Sequence, residues 1–318
     1  MRSVCRVILA LLVLLAVPAS RAAAQPILLD SARLLAHLSV LAADSMAGRR
    51  MGTPGSARAR AYLLGAFARI GLHPVGDGFS MRFTAPARAG AESFGVNLVG
   101  LVPGTRHTNR YLVVSAHYDH LGVRGAEIFN GADDNASGTS GVLELAQWFR
   151  THPPENSTLF VLFDGEELGE LGSTAFVARP PVPLGRIVAD VNLDMVSRSA
   201  RGELYVAGAH PFPVLRTLLD SAAAVSLVTL RLGHDSGSGH DNWTHQSDQG
   251  PFADRAIPFA YFGVEDHPDY HRPTDRVDHI DPAFFFHSVQ TVADFVTRLD
   301  HALDRVAAVR GRAPPHGP

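Results

Sequence analysis

The chain has 318 residues, with 28 basic residues, all arginine, against 31 acidic ones, a net charge of −3 with histidine neutral. The complete lack of lysine excludes a P-loop lysine, a Schiff-base lysine and a Ser-Lys dyad, and the mildly acidic balance argues against nucleic acid as a partner. The single cysteine, Cys5, sits in an N-terminal apolar segment, so neither thiol chemistry nor a disulfide is expected beyond it.

Residues 1–24 read as a secretory signal peptide, with Arg2 and Arg6, an apolar stretch from Val7 to Val17, and Ala22-Ala23-Ala24 as a small-residue cleavage site. That stretch is too short to span a bilayer comfortably. The mature protein is therefore expected to be exported, periplasmic or extracellular, without membrane attachment. Loss of Arg2, Arg6 and Arg21 takes its net charge to −6. A helix follows over 31–43, capped by Asp30 or Ser31, with Leu34, Leu35, Leu38 and Leu41 on one face. The Gly/Pro-rich loop AGRRMGTPGS leads into a second helix over about 56–70 that stops at Gly71.

Strand-like runs come next at about 78–84 and 94–102, and then strand, loop and helix alternate. RYLVVSAHY, STLFVLFD and RIVADVNLD read as buried strands, with helices over Ala136–Arg150 and Glu166–Val177 between them. The polar, Gly-rich loop 233–250 precedes a late strand, IPFAYFGV, and a closing helix over 282–307; residues 310–318 read as a disordered tail. Continuous apolar strands alternating with helices indicate a sheet with parallel strands covered on both faces. No linker divides residues 25–309, which are expected to form one domain.

The polar motifs fall at the C-terminal ends of these strands, where ligand sites gather in open α/β sheets. They are SAHYDH with His117 and Asp119, GADDN with Asp133, DGEEL with Glu166 and Glu167, NLDM with Asp194, and DYHRP with Tyr270 and His271. Two imidazoles and three carboxylates, His117, Asp133, Glu167, Asp194 and His271, are the mixture that a pair of zinc ions takes. Such a pair needs one shared carboxylate, terminal ligands and a base, and this set can supply them. Each motif has a plainer alternative as well: a surface His-Asp pair, a helix N-cap, acids at a helix N-terminus, a turn-capping Asp. Pro268 and Pro273 argue against a helical His-x3-His motif at His267 and His271. His234, His240 and His245 read as solvated loop residues.

SAHYDHLG, GADDNASG, DGEELGELGS, NLDMV and DYHRPTD, together with the N-terminal GRRMGTPG loop, resemble the secreted di-zinc metallo-aminopeptidases, the family of aminopeptidase S and aminopeptidase Y; the likeness covers about residues 31–305. It implies a three-layer α/β/α sandwich on a mixed, mostly parallel sheet of about eight strands. GVNLVGLVPGT runs almost directly into RYLVVSAHYDH, so the protease-associated insert of many relatives is missing. The resemblance also implies two zinc ions per chain, one held by His117 and Asp194 and the other by Glu167 and His271, with Asp133 bridging. Glu166 is then the general base for a water shared by the ions, Asp119 orients His117 or steadies the site, and Tyr270 helps hold the tetrahedral intermediate. A cis peptide is implied between Asp133 and Asp134.

The implied activity is hydrolysis of the N-terminal peptide bond of peptides with a free N-terminus. The same site could serve a carboxypeptidase, dipeptidase or N-acyl amino acid deacylase. A carboxypeptidase would want cations for the substrate carboxylate, with Arg198, Arg201 and Arg272 as candidates. A single-zinc cyclase and a non-catalytic binding domain complete the alternatives.

Overall fold

The computed structural model describes residues 27–88 and 91–311; the expected signal peptide and residues 312–318 lie outside the described residues. Helices α1 (Ser31–Leu41) and α2 (Pro54–Ile70) come first, followed by strands β1 (His73–Pro74), β2 (Ser80–Arg88), β3 (Ala91–Val102), β4 (His107–His117), β5 (Gly122–Arg124) and β6 (Glu127–Phe129). Then come α3 (Gly138–Thr151), β7 (Asn156–Phe163), α4 (Leu171–Ala178), β8 (Ile187–Leu193), β9 (Glu203–Ala207), α5 (Arg216–Ala223), β10 (Thr229–Leu232), α6 (Gly250–Ala253), β11 (Phe259–Gly263), α7 (Pro282–His301) and α8 (Leu303–Ala307).

Among the described residues, nine strands make one sheet in the order β1-β3-β7-β4-β8-β11-β9-β10, with β2 also paired to β3. Its centre, β7-β4-β8-β11, is parallel throughout. Antiparallel pairings of β3 with β7 and of β9 with β11 border that block, and β1 and β2 pair antiparallel to β3. The antiparallel share is thus larger than a mostly parallel sheet implies, because both flanks reverse direction.

The apolar runs explain the layering. Leu112, Val114 and Ala116 of β4 enter one core while Val113 enters the other, and on β7 Phe160 and Leu162 face opposite to Leu159, Val161 and Phe163. The first core is covered by α1, α2, α3, α5, α7 and α8, the second by α4 and α6. A strand buried on both faces reads as a continuous apolar run, as β7 does over Leu159–Phe163; its buried polar start, Asn156–Thr158, is hydrogen-bonded, with Asn156 held by Asp300.

Local signals place the helices. Asp30 Oδ1 accepts the Arg33 amide at 3.0 Å and caps α1, while Leu34, Leu38 and Leu41 are buried. Arg33 donates two bonds of 2.7 Å to the buried Glu144, fastening α1 to α3. Thr53 caps α2, and Gly71, at φ 77°, closes it in the left-handed conformation that glycine takes without strain. The helix expected over Glu166–Val177 divides: a 3₁₀ turn covers Glu166–Leu168, Gly169 and Glu170 are left-handed, and α4 starts at Leu171. The closing helix breaks at Ala302 into α7 and α8. Arg310, at the start of the expected tail, donates to the Ile187 and Leu184 carbonyls. No helix of the described residues is long and apolar enough to cross a membrane.

Candidate metal centre

Four neighbouring parallel strands end on one side of the sheet and deliver the polar motifs there. His117 is the last residue of β4, Glu166 and Glu167 follow β7, Asp194 follows β8, and the loop carrying Tyr270 and His271 follows β11. The GADDN segment arrives from the β6–α3 connection.

The geometry forms two overlapping clusters. His117 Nε2 lies 3.2 Å from Asp194 Oδ1 and 3.4 Å from Asp134 Oδ1. His271 Nε2 lies 3.1 Å from Asp134 Oδ2 and 3.2 Å from Glu167 Oε2. One carboxylate, Asp134, thus faces both imidazoles through its two oxygens. Glu166 Oε2 stands 3.9 Å from His117 Nε2, beside the first cluster.

Asp133, expected as the shared carboxylate, is elsewhere. Its Oδ1 accepts the Ser197 amide and hydroxyl, each at 2.7 Å, and its Oδ2 lies 3.0 Å from His267 Nε2. Those fixed partners use up both oxygens, and Asp275 accepts the amides of Asp133 and Asp134, which turns the next side chain into the cleft. The cis peptide is displaced by the same single position, to Asp134-Asn135. Of two adjacent acids, the sequence does not say which one faces inward.

Asp119 acts through two different atoms. His117 Nδ1 lies 3.2 Å from the Asp119 backbone oxygen and 3.8 Å from its carboxylate, while Asp119 Oδ1 accepts the Glu166 amide at 3.1 Å. Its side chain therefore positions the DGEEL turn, and its main chain orients His117. Tyr270 stacks on His271, with ring centroids 3.9 Å apart, and lines the cleft.

Two residues unassigned from the sequence belong to the site. His120 is fully buried, with Nδ1 2.6 Å from Glu167 Oε1 and 3.7 Å from Asp134 Oδ2. Its signal was a second histidine three positions after His117 in the same motif. The other is Arg49, of the GRRMGTPG loop. Fully buried, it donates to the carbonyls of Leu41, Tyr118, Asn130 and Gly131 at 2.6–2.9 Å. It thereby ties together the segments leading to His120 and Asp134. Gly131, at φ 56°, makes that approach possible: a Cβ there would lie 2.0 Å from the Asp134 carbonyl and 2.5 Å from the His120 ring.

The cleft is crowded with acids and shows it. Burial raises the Glu166 carboxyl well above its usual range; His117 opposes this, and Asp194, Asp248 and Glu167 add to it. Burial alone would lower the pKa of His117, yet Asp194 and Glu166 raise it well above the ordinary value. Burial opposes the charge on His271 as well, but Asp134 and Glu167 push it up to about 10. Glu167, though buried, is held low by His120 and His271. Arg49 is lowered to about 10 by burial, with Asp134, Asp275, Asp119 and Glu167 restraining the fall.

Several buried atoms have no hydrogen-bond partner: both ring nitrogens of His120, Glu167 Oε1 and Asp119 Oδ2. A buried unpaired acceptor costs about 1–3 kcal/mol, so a convergence of them calls for a cation. Candidate ligand atoms of His117, Asp134 and Asp194, and of His120, Asp134 and Glu167, lie within 4.8 Å of one another. Mixed nitrogen and oxygen donors in two sets sharing a carboxylate fit a pair of zinc ions.

The profile of Peptidase family M28 matches residues 97–296. Aminopeptidase YwaD of Bacillus subtilis (strain 168) is 32% identical over 195 residues, 58% of this chain and 39% of that protein. The chain thus spans well under half of that relative's length. Among solved structures, BSAP, a zinc aminopeptidase from Bacillus subtilis, superposes with a TM-score of 0.71 at 18% identity, over 86% of this chain and 96% of its own. A glutaminyl cyclase of Bacteroides thetaiotaomicron superposes with a TM-score of 0.68 at 18% identity, over 85% and 98% of the two chains. At such identities the superpositions establish the fold alone.

Proposed function

The chain belongs to Peptidase family M28, and we propose that it is a zinc-dependent exopeptidase that removes the N-terminal residue of peptides. One observation carries this reading: Asp134 sits between two imidazole–carboxylate sets, so a single side chain can serve two ions at once. His117, Asp134 and Asp194 would hold the first ion and Asp134, Glu167 and His271 the second. The bridging role read for Asp133 passes to its neighbour. Bound zinc supplies Lewis acidity, polarising the scissile carbonyl and bringing the pKa of water toward neutrality.

The chain's own groups carry the remaining steps. Glu166 takes the proton of the attacking water on a carboxylate oxygen and returns it to the departing amine. It is held for this by the Asp119 carboxylate, which accepts its amide. The Tyr270 hydroxyl stays protonated because burial and the nearby Asp134 and Asp194 raise its pKa, so it can donate to the developing oxyanion. The cleft, of about 230 Å³, is lined by the acidic groups of Glu166, Asp194 and Asp266, whose oxygens can accept from a substrate's free ammonium group, and by Trp243, Tyr261 and Tyr270, which offer apolar surface to the first side chain.

A carboxypeptidase reading is disfavoured by the fate of its cations. Arg198 is paired with Asp269 and Arg201 with Glu203, and none of Arg198, Arg201 and Arg272 lines that cleft. The close succession of β3 and β4, separated by Pro103–Arg106, supports a peptidase unit over 25–309 without a protease-associated insert. Export follows from the signal-peptide reading. The test is cleavage of a panel of aminoacyl-p-nitroanilides and N-blocked counterparts by the mature chain, before and after chelation and with zinc restored. Activity on free amines that disappears with chelator and returns with zinc is expected; equal hydrolysis of blocked substrates would remove the aminopeptidase assignment.

A further inference from the structure

His120 has no part in the five-residue ligand set, yet it is fully buried against that set with neither ring nitrogen hydrogen-bonded. Its Nδ1 lies 2.6 Å from Glu167 Oε1, but the contact is not directed as a hydrogen bond, and that oxygen too is left without a partner. Two buried polar atoms left without partners side by side would both be satisfied by one cation between them. The Asp134 oxygen facing His271 lies 3.7 Å from the same Nδ1, so all three atoms border one small volume. The ring is held in this pose. Its neighbour Gly131 leaves no room for a side chain, His271 packs edge-on with centroids 5.9 Å apart, and Arg49 grips the carbonyls of Tyr118 and Gly131 on either side.

We propose that His120 is a ligand of the second zinc ion, bound through Nδ1, so that this ion has four protein ligands, Asp134, Glu167, His271 and His120, and the first has three. The inference rests on the zinc reading above. The uneven count has a physical consequence. His271 is the most exposed ligand, its side chain 40% accessible, and a buried fourth ligand would anchor the second ion from the interior side. The unbound Nε2 then carries the ring proton, whereas a ring that merely supported Glu167 would carry its proton on Nδ1 and donate it to Oε1.

The tautomer decides between these. The full mature chain, labelled with ¹⁵N-histidine and loaded with zinc, is examined by long-range ¹H–¹⁵N correlation, and loaded with ¹¹³Cd for one-bond coupling. Expected are a ¹¹³Cd coupling to His120 Nδ1 and a proton on Nε2, with a His120→Gln variant whose second ion is lost to chelator more than about a hundredfold more readily. Loss of a supporting partner costs only about ten- to a hundredfold. A protonated, uncoupled Nδ1 in the native chain overturns the proposal even though two ions are bound. A native chain that binds fewer than two ions overturns instead the two-ion reading beneath it, and the native spectrum needs no variant to fold.

Discussion

The two halves of the cluster are built differently. The first takes His117 and Asp194 from the ends of adjacent parallel strands, with side chains 1% and 10% exposed. The second takes Glu167 from a 3₁₀ turn and His271 from a loop residue at φ 55°. A strand end inherits the rigidity of the sheet; a loop must be held by its own contacts. The second half has such contacts: Asp119 accepts the Glu166 amide at the Glu167 turn, Asp275 joins the His271 loop to the Asp133 and Asp134 amides, and Arg49 fixes the segment leading to Asp134. Sheet geometry fixes one ion site, and a network of buried polar bonds fixes the other.

Asp134 belongs to both halves, so removing it tests whether they form one unit. Asp134→Asn should abolish tight binding of both ions and lower kcat by at least about a thousandfold, since metal Lewis acidity is worth several kcal/mol. Asp133→Asn should leave two zinc ions per chain and change kcat far less, because its oxygens serve Ser197 and His267. Zinc content and anilide hydrolysis together check both variants, and an Asp134→Asn protein that keeps both ions would separate the halves.

The adjacent acids also mark the limit of the sequence. The strand ends were legible because an acid or histidine terminating an apolar run falls at the C-terminal end of its strand, and His117, Glu167 and Asp194 lie at or just beyond such ends. GADDN shows that one acid faces inward but not which, since that depends on Asp275, 141 positions away from Asp134, turning the main chain. His120 escaped for a related reason: a strand's alternation ends at His117, so the direction of the third residue beyond it is set by Arg49 and Gly131. β9, β10, α5 and the β5–β6 hairpin carried no pattern strong enough to distinguish them from loop.

Glu166 lies 3.9 Å from His117, beside the first half, and is proposed as the base rather than a ligand. Glu166→Gln should therefore retain both ions while kcat falls by about a hundred- to ten-thousandfold, the usual contribution of a general base. Elemental analysis with single-turnover hydrolysis separates the two quantities. A variant that loses zinc would make Glu166 a ligand and the first half a four-ligand site.

Arg49 holds the segments that carry His120 and the shared Asp134, so it bears most on the second half. Arg49→Met leaves four buried carbonyls without their side-chain donor, a loss of several kcal/mol of stability at about 1–3 kcal/mol for each stranded acceptor. Arg49→Lys should recover little, as one ammonium cannot reach the positions of a planar fork. Urea unfolding of metal-free protein measures the cost, and the order in which ions leave during chelation tests the comparison: the second ion should leave earlier in the variant. An unfolding free energy within about 1 kcal/mol of the native chain's would show that the loops hold themselves.

The smallest effect is expected where neither half is involved. His37, on α1, lies with Nδ1 2.7 Å from the Tyr62 hydroxyl of α2. Burial, reinforced by Arg33 and Arg69, lowers its pKa to about 4, against about 6.5 in the unfolded chain. The fold therefore prefers the neutral ring. Its contribution is complete above about pH 6.5, declines as the pH falls toward 4 while the unfolded chain takes up the proton, and is gone below that. With its partial exposure discounted, about 2 kcal/mol is at stake. Acid also protonates the metal ligands and releases the ions, so the informative quantity is a difference. Between pH 7.5 and 4.5, metal-free native protein should lose about 2 kcal/mol more stability than a His37→Gln variant. Equal losses would place the acid sensitivity of the fold in the cluster's own carboxylates and histidines, and α1 would have no part in it.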